Sequence, residues 1–424
     1  MKNIPEQGAR KRIVIVGAGF AGVKLALSLS AKQFQVVLLD KNNYHQFQPL
    51  FYQVATSGLE PSSISFPIRK ILQNKKNVHF RVAELREVKS EEKAIETNIG
   101  SLHYDELVLA LGATTNFFGN PNLERYAVPM KSVSEALYLR NCILDNYENA
   151  LNTADSSEQE ALMNIVITGG GPTGVELAGA LAEMRKFVLP KDYPELDFTK
   201  MTISLLEGSP RLLNGMSEFA GKQSLKYLQK LGVEVRLNCL VEDYDSQTVS
   251  LKGGETLNSK TLLWAAGIKA NSVIGFPDIS IGPAGRILVN EFSQTNFNEN
   301  IYIVGDQALM ITEQNPKGDP QVAQVAIQQA QNVAKNLNNK RLQKPLKSFK
   351  YFDKGSMATV GRNLAVCDLS VGSLKGIIAW LMWLFVHLMA ILGTKNKVFV
   401  FLNWTWSYLT YDQSLRLMIK PREK

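Results

Sequence analysis

Residues 12–22 read Arg12-Ile-Val-Ile-Val-Gly17-Ala-Gly19-Phe20-Ala21-Gly22, an apolar run broken by three glycines at the spacing GxGxxG. Four consecutive β-branched residues, Ile13 to Val16, suit a strand buried on both faces, and the pattern from Ala21 to Ala31 suits a helix. A second strand, Gln35 to Leu39, ends in Asp40. In such a strand, turn and helix each glycine has its own task. Gly17 allows the tight turn, Gly19 lets a pyrophosphate approach the backbone at the helix N-terminus, and Gly22 lets helix and strand pack closely. Asp40 is placed to accept hydrogen bonds from both hydroxyls of a ribose. A bare GxGxxG is a weak signal, but with strand, helix and terminal acid in order it predicts a dinucleotide site.

The unit recurs 152 residues later (17 to 169): strand Asn164 to Thr168, turn Gly169-Gly-Gly171-Pro-Thr173-Gly174, helix Val175 to Val188, and strand Thr202 to Leu206 ending in Glu207. A carboxylate at Glu207 repels a 2′-phosphate and favours NADH over NADPH, while Arg211 works against that preference. Residues 152–160 (NTADSSEQE) are expected as a polar linker, and Leu189 to Lys200 as a surface loop. A later strand, Asn300 to Val304, runs into Gly305-Asp306 and is followed by a helix from Gln321 to Leu337, both assigned to the first domain. The predicted fold is α/β: two Rossmann-like dinucleotide-binding domains and a C-terminal membrane-binding helical region. The expected bounds are 10–120 with 270–345 for the first domain, 121–269 for the second and 346–424 for the tail. Two such sites suit a resident flavin, FAD, and an exchanging nicotinamide, a pair that passes hydride by alignment rather than by acid or base.

With 45% hydrophobic and 20% charged residues the chain is an ordinary globular one, so general disorder is excluded. The net charge of +8 would suit an anionic lipid surface or nucleic acid, and its placement decides. Between Lys375 and Lys424, Lys375, Lys395, Lys397, Arg416, Lys420, Arg422 and Lys424 face only Asp412 and Glu423, and Trp380, Trp383, Trp404 and Trp406 lie among them. Tryptophan beside lysine and arginine marks a membrane interface, so lipid is favoured and no nucleic acid is expected. Gly376 to Gly393 carries no charged residue yet is marginal as a span; it and Val398 to Tyr411 suit helices lying in the interface. Cys142, Cys239 and Cys367 offer neither a disulfide framework nor a metal site. No signal-peptide core follows Lys11-Arg12, which puts the catalytic part in the cytoplasm.

In this order the first glycine motif, Asn43-Tyr-His-Gln-Phe-Gln-Pro-Leu50, Ala110-Leu-Gly112-Ala-Thr114, the second glycine motif with Gly174-Val-Glu176-Leu-Ala, Trp264-Ala-Ala-Gly267, Val304-Gly305-Asp306 and Ala323-Gln324-Val-Ala-Ile-Gln328 are specific. Over nearly its whole length the chain resembles the type II NADH:quinone oxidoreductases, flavoproteins with two dinucleotide folds. The resemblance implies FAD as cofactor, NADH as donor and a membrane quinone as acceptor, with no proton pumping, at the cytoplasmic face of the membrane; a homodimer is open. It implies that Asp306 contacts the ribityl and pyrophosphate part of FAD and that Glu176 helps to seat NADH near the flavin. Phe20, Ala21, Lys41, Gly112, Thr173, Gly267 and Gly305 complete the expected cofactor-binding set. Gln324 and Gln328 share a helical face at i, i+4 and, on the resemblance, hydrogen-bond the quinone with neutral amides; the alternative is a polar surface helix, since Gln321, Gln329 and Gln331 are near. His45 and His387 read as structural histidines rather than as catalysts.

Three other readings compete. Sulfide:quinone reductases use a cysteine pair beside the flavin, which would require Cys142 and Cys367 to converge. Soluble ferredoxin reductases keep both glycine motifs but gain nothing from the tryptophan-rich tail. A flavin-bearing interaction protein would bind NADH without steady turnover. Disulfide reductases need paired cysteines, and Asn42 to Glu60 contains none.

Overall fold

The strand expected before the first glycine motif runs Lys11–Val16 and is the centre of a five-stranded parallel sheet in a computed structural model that describes residues 1–313, 315–412 and 415–418. Its neighbours are Phe34–Asp40, then Val78–Val82, on one side and Glu106–Leu109, then Ile301–Ile303, on the other. Ile13 and Ile15 pack beneath the helices Phe20–Ser28 and Ala323–Arg341, while Val14 and Val16 turn to the opposite face with Leu107, Leu109 and Ile303. All are fully buried, which explains why the strand is continuously apolar rather than alternating. Each such side chain contributes about 1.5–3 kcal/mol. This compact unit comprises Met1–His45, Phe66–Thr114 and Ile268–Asp353.

The second unit comprises Gln46–Ser65, Thr115–Gly267 and Lys354–Lys424 and repeats the order of four of the five strands; the fifth, Val128–Pro129, precedes the glycine-motif strand in sequence, whereas Ile301–Ile303 comes last in the first sheet. Ile165–Thr168 lies between Ile203–Glu207, followed by Glu234–Leu237, and Thr261–Trp264, followed by Val128–Pro129, all parallel. The helix Pro172–Phe187 follows its glycine turn. Against that helix lies an antiparallel meander, Ser356–Gly361, Leu364–Leu369 and Gly372–Lys375, which leads into the helices Gly376–Ala390 and Thr394–Thr410. The units thus divide the chain differently from the bounds read in sequence, since residues 46–65 and the tail group with the second nucleotide fold.

Two connecting segments differ from expectation. The polar stretch 152–160 is not a plain linker: the Asp155 carboxylate accepts from the Ser157 N–H at 2.9 Å and starts a helix, Ser156–Met163. The insertion expected as a surface loop begins with a short helix, Leu189–Asp192, and buries Leu189, Tyr193, Leu196 and Phe198. Tyr147 receives Tyr193 and Phe198 with ring centroids 5.6 and 5.8 Å away. Four apolar side chains spread among Pro, Asp and Lys outweigh the loop-like composition once the Tyr147 slot exists.

Gly376–Ala390 spans 15 residues, about 22 Å at helical rise, against the roughly 30 Å of a hydrocarbon core. No helix among the described residues is long and apolar enough to cross a membrane. One face of this helix, Ala379 and Trp383, is buried; Ile377, Ile378, Leu381, Phe385 and Met389 are exposed. Lys420, Arg422, Glu423 and Lys424 lie outside the described residues.

Candidate active site

The two glycine turns have the same geometry residue by residue. Gly17 has φ +104°, and a Cβ there would lie 2.2 Å from the Ala110 carbonyl oxygen; Gly169 has φ +109°, with the Ala265 oxygen at 2.4 Å. A Cβ on Gly22 would meet the Gly17 carbonyl oxygen at 1.8 Å, and one on Gly174 the Gly169 oxygen at 1.9 Å. The middle glycines, Gly19 and Gly171, face open space. They are also the N-caps of Phe20–Ser28 and Pro172–Phe187, neither of which has a side-chain cap or an acid in its first turn. Unspent N–H groups at a helix N-terminus beside space kept clear of side chains fit a pyrophosphate in both units. Phe20 and Ala21 open the first helix, and Thr173 stands in the first turn of the second.

The terminal acids hold the turns themselves. Asp40 accepts from the N–H of Ala18 at 2.6 Å and of Asn42 at 2.7 Å, beside Lys41, and burial raises its pKa. Glu207 accepts from the N–H of Gly170 and of Ser209 and from the Ser209 hydroxyl. A carboxylate offers about four acceptor positions, so capacity for ribose hydroxyls remains on each. Gly112 (φ +68°) likewise faces open space, and Gly305 (φ +73°) donates its N–H to the Gln329 side chain at 2.7 Å. Next to it, the Asp306 carbonyl accepts from Gln321. His45 is buried, with Nδ1 2.9 Å from the Ala18 carbonyl and its pKa lowered by burial, which suits the structural reading.

Gln324 and Gln328 stand one turn apart on Ala323–Arg341. The Gln328 amide is engaged with the backbone of Phe352, donating to its carbonyl at 2.9 Å and accepting from its N–H at 3.0 Å. In the second unit Gly267 accepts from the Asn116 N–H at 3.0 Å and packs under Phe118.

Glu176 sits on the face of Pro172–Phe187 that meets the meander. It is 8% exposed, and its Oε1 is 3.4 Å from the Thr359 N–H. Burial pushes its pKa up to about 8, which the Thr359 N–H and the Trp383 indole offset only in part. It is therefore a carboxyl that keeps its proton at neutral pH. It lines a cavity of ≈110 Å³ with Tyr52, Gln53, Glu183, Arg362, Trp383 and Trp404. Sequence reading missed this cavity, although Glu183 follows Glu176 by seven residues, two helical turns, on an otherwise apolar face. His387 lies close by, stacked on Trp383 at 4.1 Å; burial lowers its pKa to about 4, so it is neutral and no proton donor at neutral pH. No disulfide joins Cys142, Cys239 and Cys367, and no grouping of metal-ligating side chains occurs among the described residues.

Residues 11–330 match the pyridine nucleotide-disulphide oxidoreductase family, and residues 354–411 match the NDH2 C-terminal domain. Type II NADH:quinone oxidoreductase Ndh of Mycobacterium tuberculosis is 34% identical over 419 residues, covering 95% of this chain and 89% of its own. The type II NADH:quinone oxidoreductase of Haemophilus influenzae is 30% identical over 388 residues, 85% of this chain and 87% of that one. In fold, the chain is similar to NDH2 from Plasmodium falciparum, solved in complex with NADH, at a TM-score of 0.89 and 23% identity, covering 97% of this chain and 100% of that one.

Proposed function

Because the chain belongs to the pyridine nucleotide-disulphide oxidoreductase family and, within it, to the type II NADH:quinone oxidoreductases, we propose that it oxidises NADH and reduces a membrane quinone with FAD as its resident cofactor. The observation that carries this reading is the repeated cradle: two glycine turns of equal geometry, one in each unit, with open space over Gly19 and Gly171. When bound, FAD takes a hydride from NADH and passes two electrons onward. Gly17, Gly19, Gly22, Asp40, Gly305 and Asp306 hold it in the first unit; Gly169, Gly171, Gly174 and Glu207 hold NADH in the second.

Gln324 and Gln328 are assigned to the acceptor side by family resemblance, Gln328 by fixing the backbone at Phe352. Glu176 holds a proton at neutral pH, which supports its assignment to proton supply in quinone reduction rather than to seating the nicotinamide as an anion. The exposed apolar faces of Gly376–Ala390 and Thr394–Thr410, beside Lys375, Lys395 and Lys397, support docking on a membrane surface, and the family resemblance assigns that surface to the cytoplasmic side. No cysteine pair supports the sulfide-oxidising alternative.

The test is an anaerobic titration of the purified chain with NADH, followed by quinone. Flavin absorbance should bleach with NADH and return with quinone. A colourless protein, or a bleached one that quinone does not restore, would refute the assignment.

A further inference from the structure

Glu183 has no part in the reading above, yet it shares a wall with Glu176. Both stand on Pro172–Phe187 two turns apart, about 10 Å along the axis, and so face the same side. Both line the ≈110 Å³ cavity, and Tyr52 lies where the charge of either carboxyl acts on its hydroxyl. A water needs roughly 10–15 Å³ of such space, so the cavity has room for several between the two carboxyls. The Tyr52 oxygen accepts from Gln53 Nε2 at 2.9 Å, which leaves its own proton to donate.

The groups facing Glu183 come from four elements: Glu176 on its own helix, Tyr52 from Phe51–Ala55, Arg362 at the turn of the meander, and Tyr408 from Thr394–Thr410. Arg362 gives Glu183 a backbone N–H, while its guanidinium is turned to the carbonyls of Ser407 and Tyr408, at 2.7 and 2.9 Å, and stacks on the Tyr411 ring at 3.4 Å. Glu183 is thus a half-buried carboxyl with one N–H partner, and its nearest cation spends its own hydrogen bonds elsewhere; desolvation raises its pKa, offset in part by the Arg362 N–H and charge.

Turnover needs a proton from outside. NADH, one proton and quinone give NAD⁺ and quinol: the hydride carries two electrons and one of the quinol's two protons, and solvent supplies the other. We propose that Glu183 is the relay carboxyl that reloads Glu176 with this proton, taken up at the Arg362 end of the cavity and passed along cavity water and the Tyr52 hydroxyl. Glu183 gives its proton to the emptied Glu176 and takes one from solvent, with no other bond made or broken. The proposal rests on the assignment of Glu176 to the acceptor step.

The test uses the full chain loaded with FAD, as Glu183→Gln, Glu183→Asp and Glu176→Gln. In stopped flow, Glu183→Gln should slow quinone-driven return of flavin absorbance roughly tenfold or more, within the range of general acid catalysis, while bleaching by NADH keeps its rate. Formate added to Glu183→Gln, and the aspartate variant, should restore part of the loss. Without NADH or quinone, infrared titration should show two carboxyls with raised pKa in the parent; in Glu183→Gln one band is gone and the other ionises at lower pH. A parent-like return in Glu183→Gln beside a slow one in Glu176→Gln overturns the relay alone. A parent-like return in Glu176→Gln overturns the assignment beneath it and the relay with it. Slowing that neither formate nor aspartate relieves assigns Glu183 a structural role and also overturns the proposal.

Discussion

A carboxyl that is 8% exposed and has only one backbone N–H at 3.4 Å can be ionised only at the expense of the fold. The pKa of Glu176 is raised from 4.5 to about 8, so the folded chain binds this proton more tightly than the unfolded one does. The stabilisation is complete below the unfolded value, and it is lost as pH climbs through the folded value. Between 4.5 and about 8, stability should therefore fall with pH by on the order of a few kcal/mol on account of this one group. Glu176→Gln should flatten that part of the profile, as read by denaturant midpoints across the interval; an unchanged slope would show that Glu176 is not the titrating group. This proton was not legible in the sequence, because the residue that satisfies the carboxyl, Thr359, lies 183 positions away. The glycine roles were legible, because each is a backbone demand met by one residue: a positive φ at Gly17, clear space at Gly19, close approach at Gly22.

At the scale of the element, the same helix that opens the second cradle also carries the meander on its far end. A Cβ on Gly179 would lie 1.6 Å from the Val360 carbonyl oxygen, so helix and strand meet backbone to backbone there. Alanine would gain about 0.5–1 kcal/mol in helix propensity. It would lose more, since a rigid carbonyl at that distance forces the strand away, and overpacking costs about 1–3 kcal/mol even where side chains can give. Gly179→Ala should therefore lower stability on balance and loosen Ser356–Gly361, with faster amide exchange across the meander and little change in Ile165–Thr168; an exchange pattern like the parent's would contradict the close approach. The βαβ elements were legible because period and punctuation agree: apolar strand, glycine turn, helix, acid. The meander and the helix at 156–163 were not, since nothing local marks Ser356–Gly361 as the partner of a helix 180 residues earlier, and since an N-cap at Asp155 is indistinguishable in composition from a linker. The 189–200 segment failed for the complementary reason: its burial is created by Tyr147.

For the molecule as a whole, charge and apolar exposure converge on the tail. The chain carries a net +8, and Lys375, Lys395 and Lys397 flank two helices whose exposed side chains include Phe385 and Leu409, 66% and 72% accessible. Exposed apolar groups in such number are costly in water unless another phase covers them. With 15 residues in the more apolar helix, that phase is met side-on rather than crossed. Truncation is a poor probe here, because removing residue 372 onward also removes a strand of the meander and uncovers Ala365 and Cys367. Phe385→Asp combined with Leu409→Asp is cleaner. Each large apolar side chain withdrawn from lipid forfeits roughly 1.5–3 kcal/mol, so the pair should weaken binding to anionic liposomes by roughly a hundredfold or more. Both positions are exposed, so the melting temperature in solution should stay near that of the parent. Cosedimentation with liposomes reads the first effect and thermal unfolding the second. Variant protein that still sediments with the vesicles would move the membrane contact elsewhere on the chain, and a large fall in melting temperature would mean that these side chains are packed rather than offered to lipid.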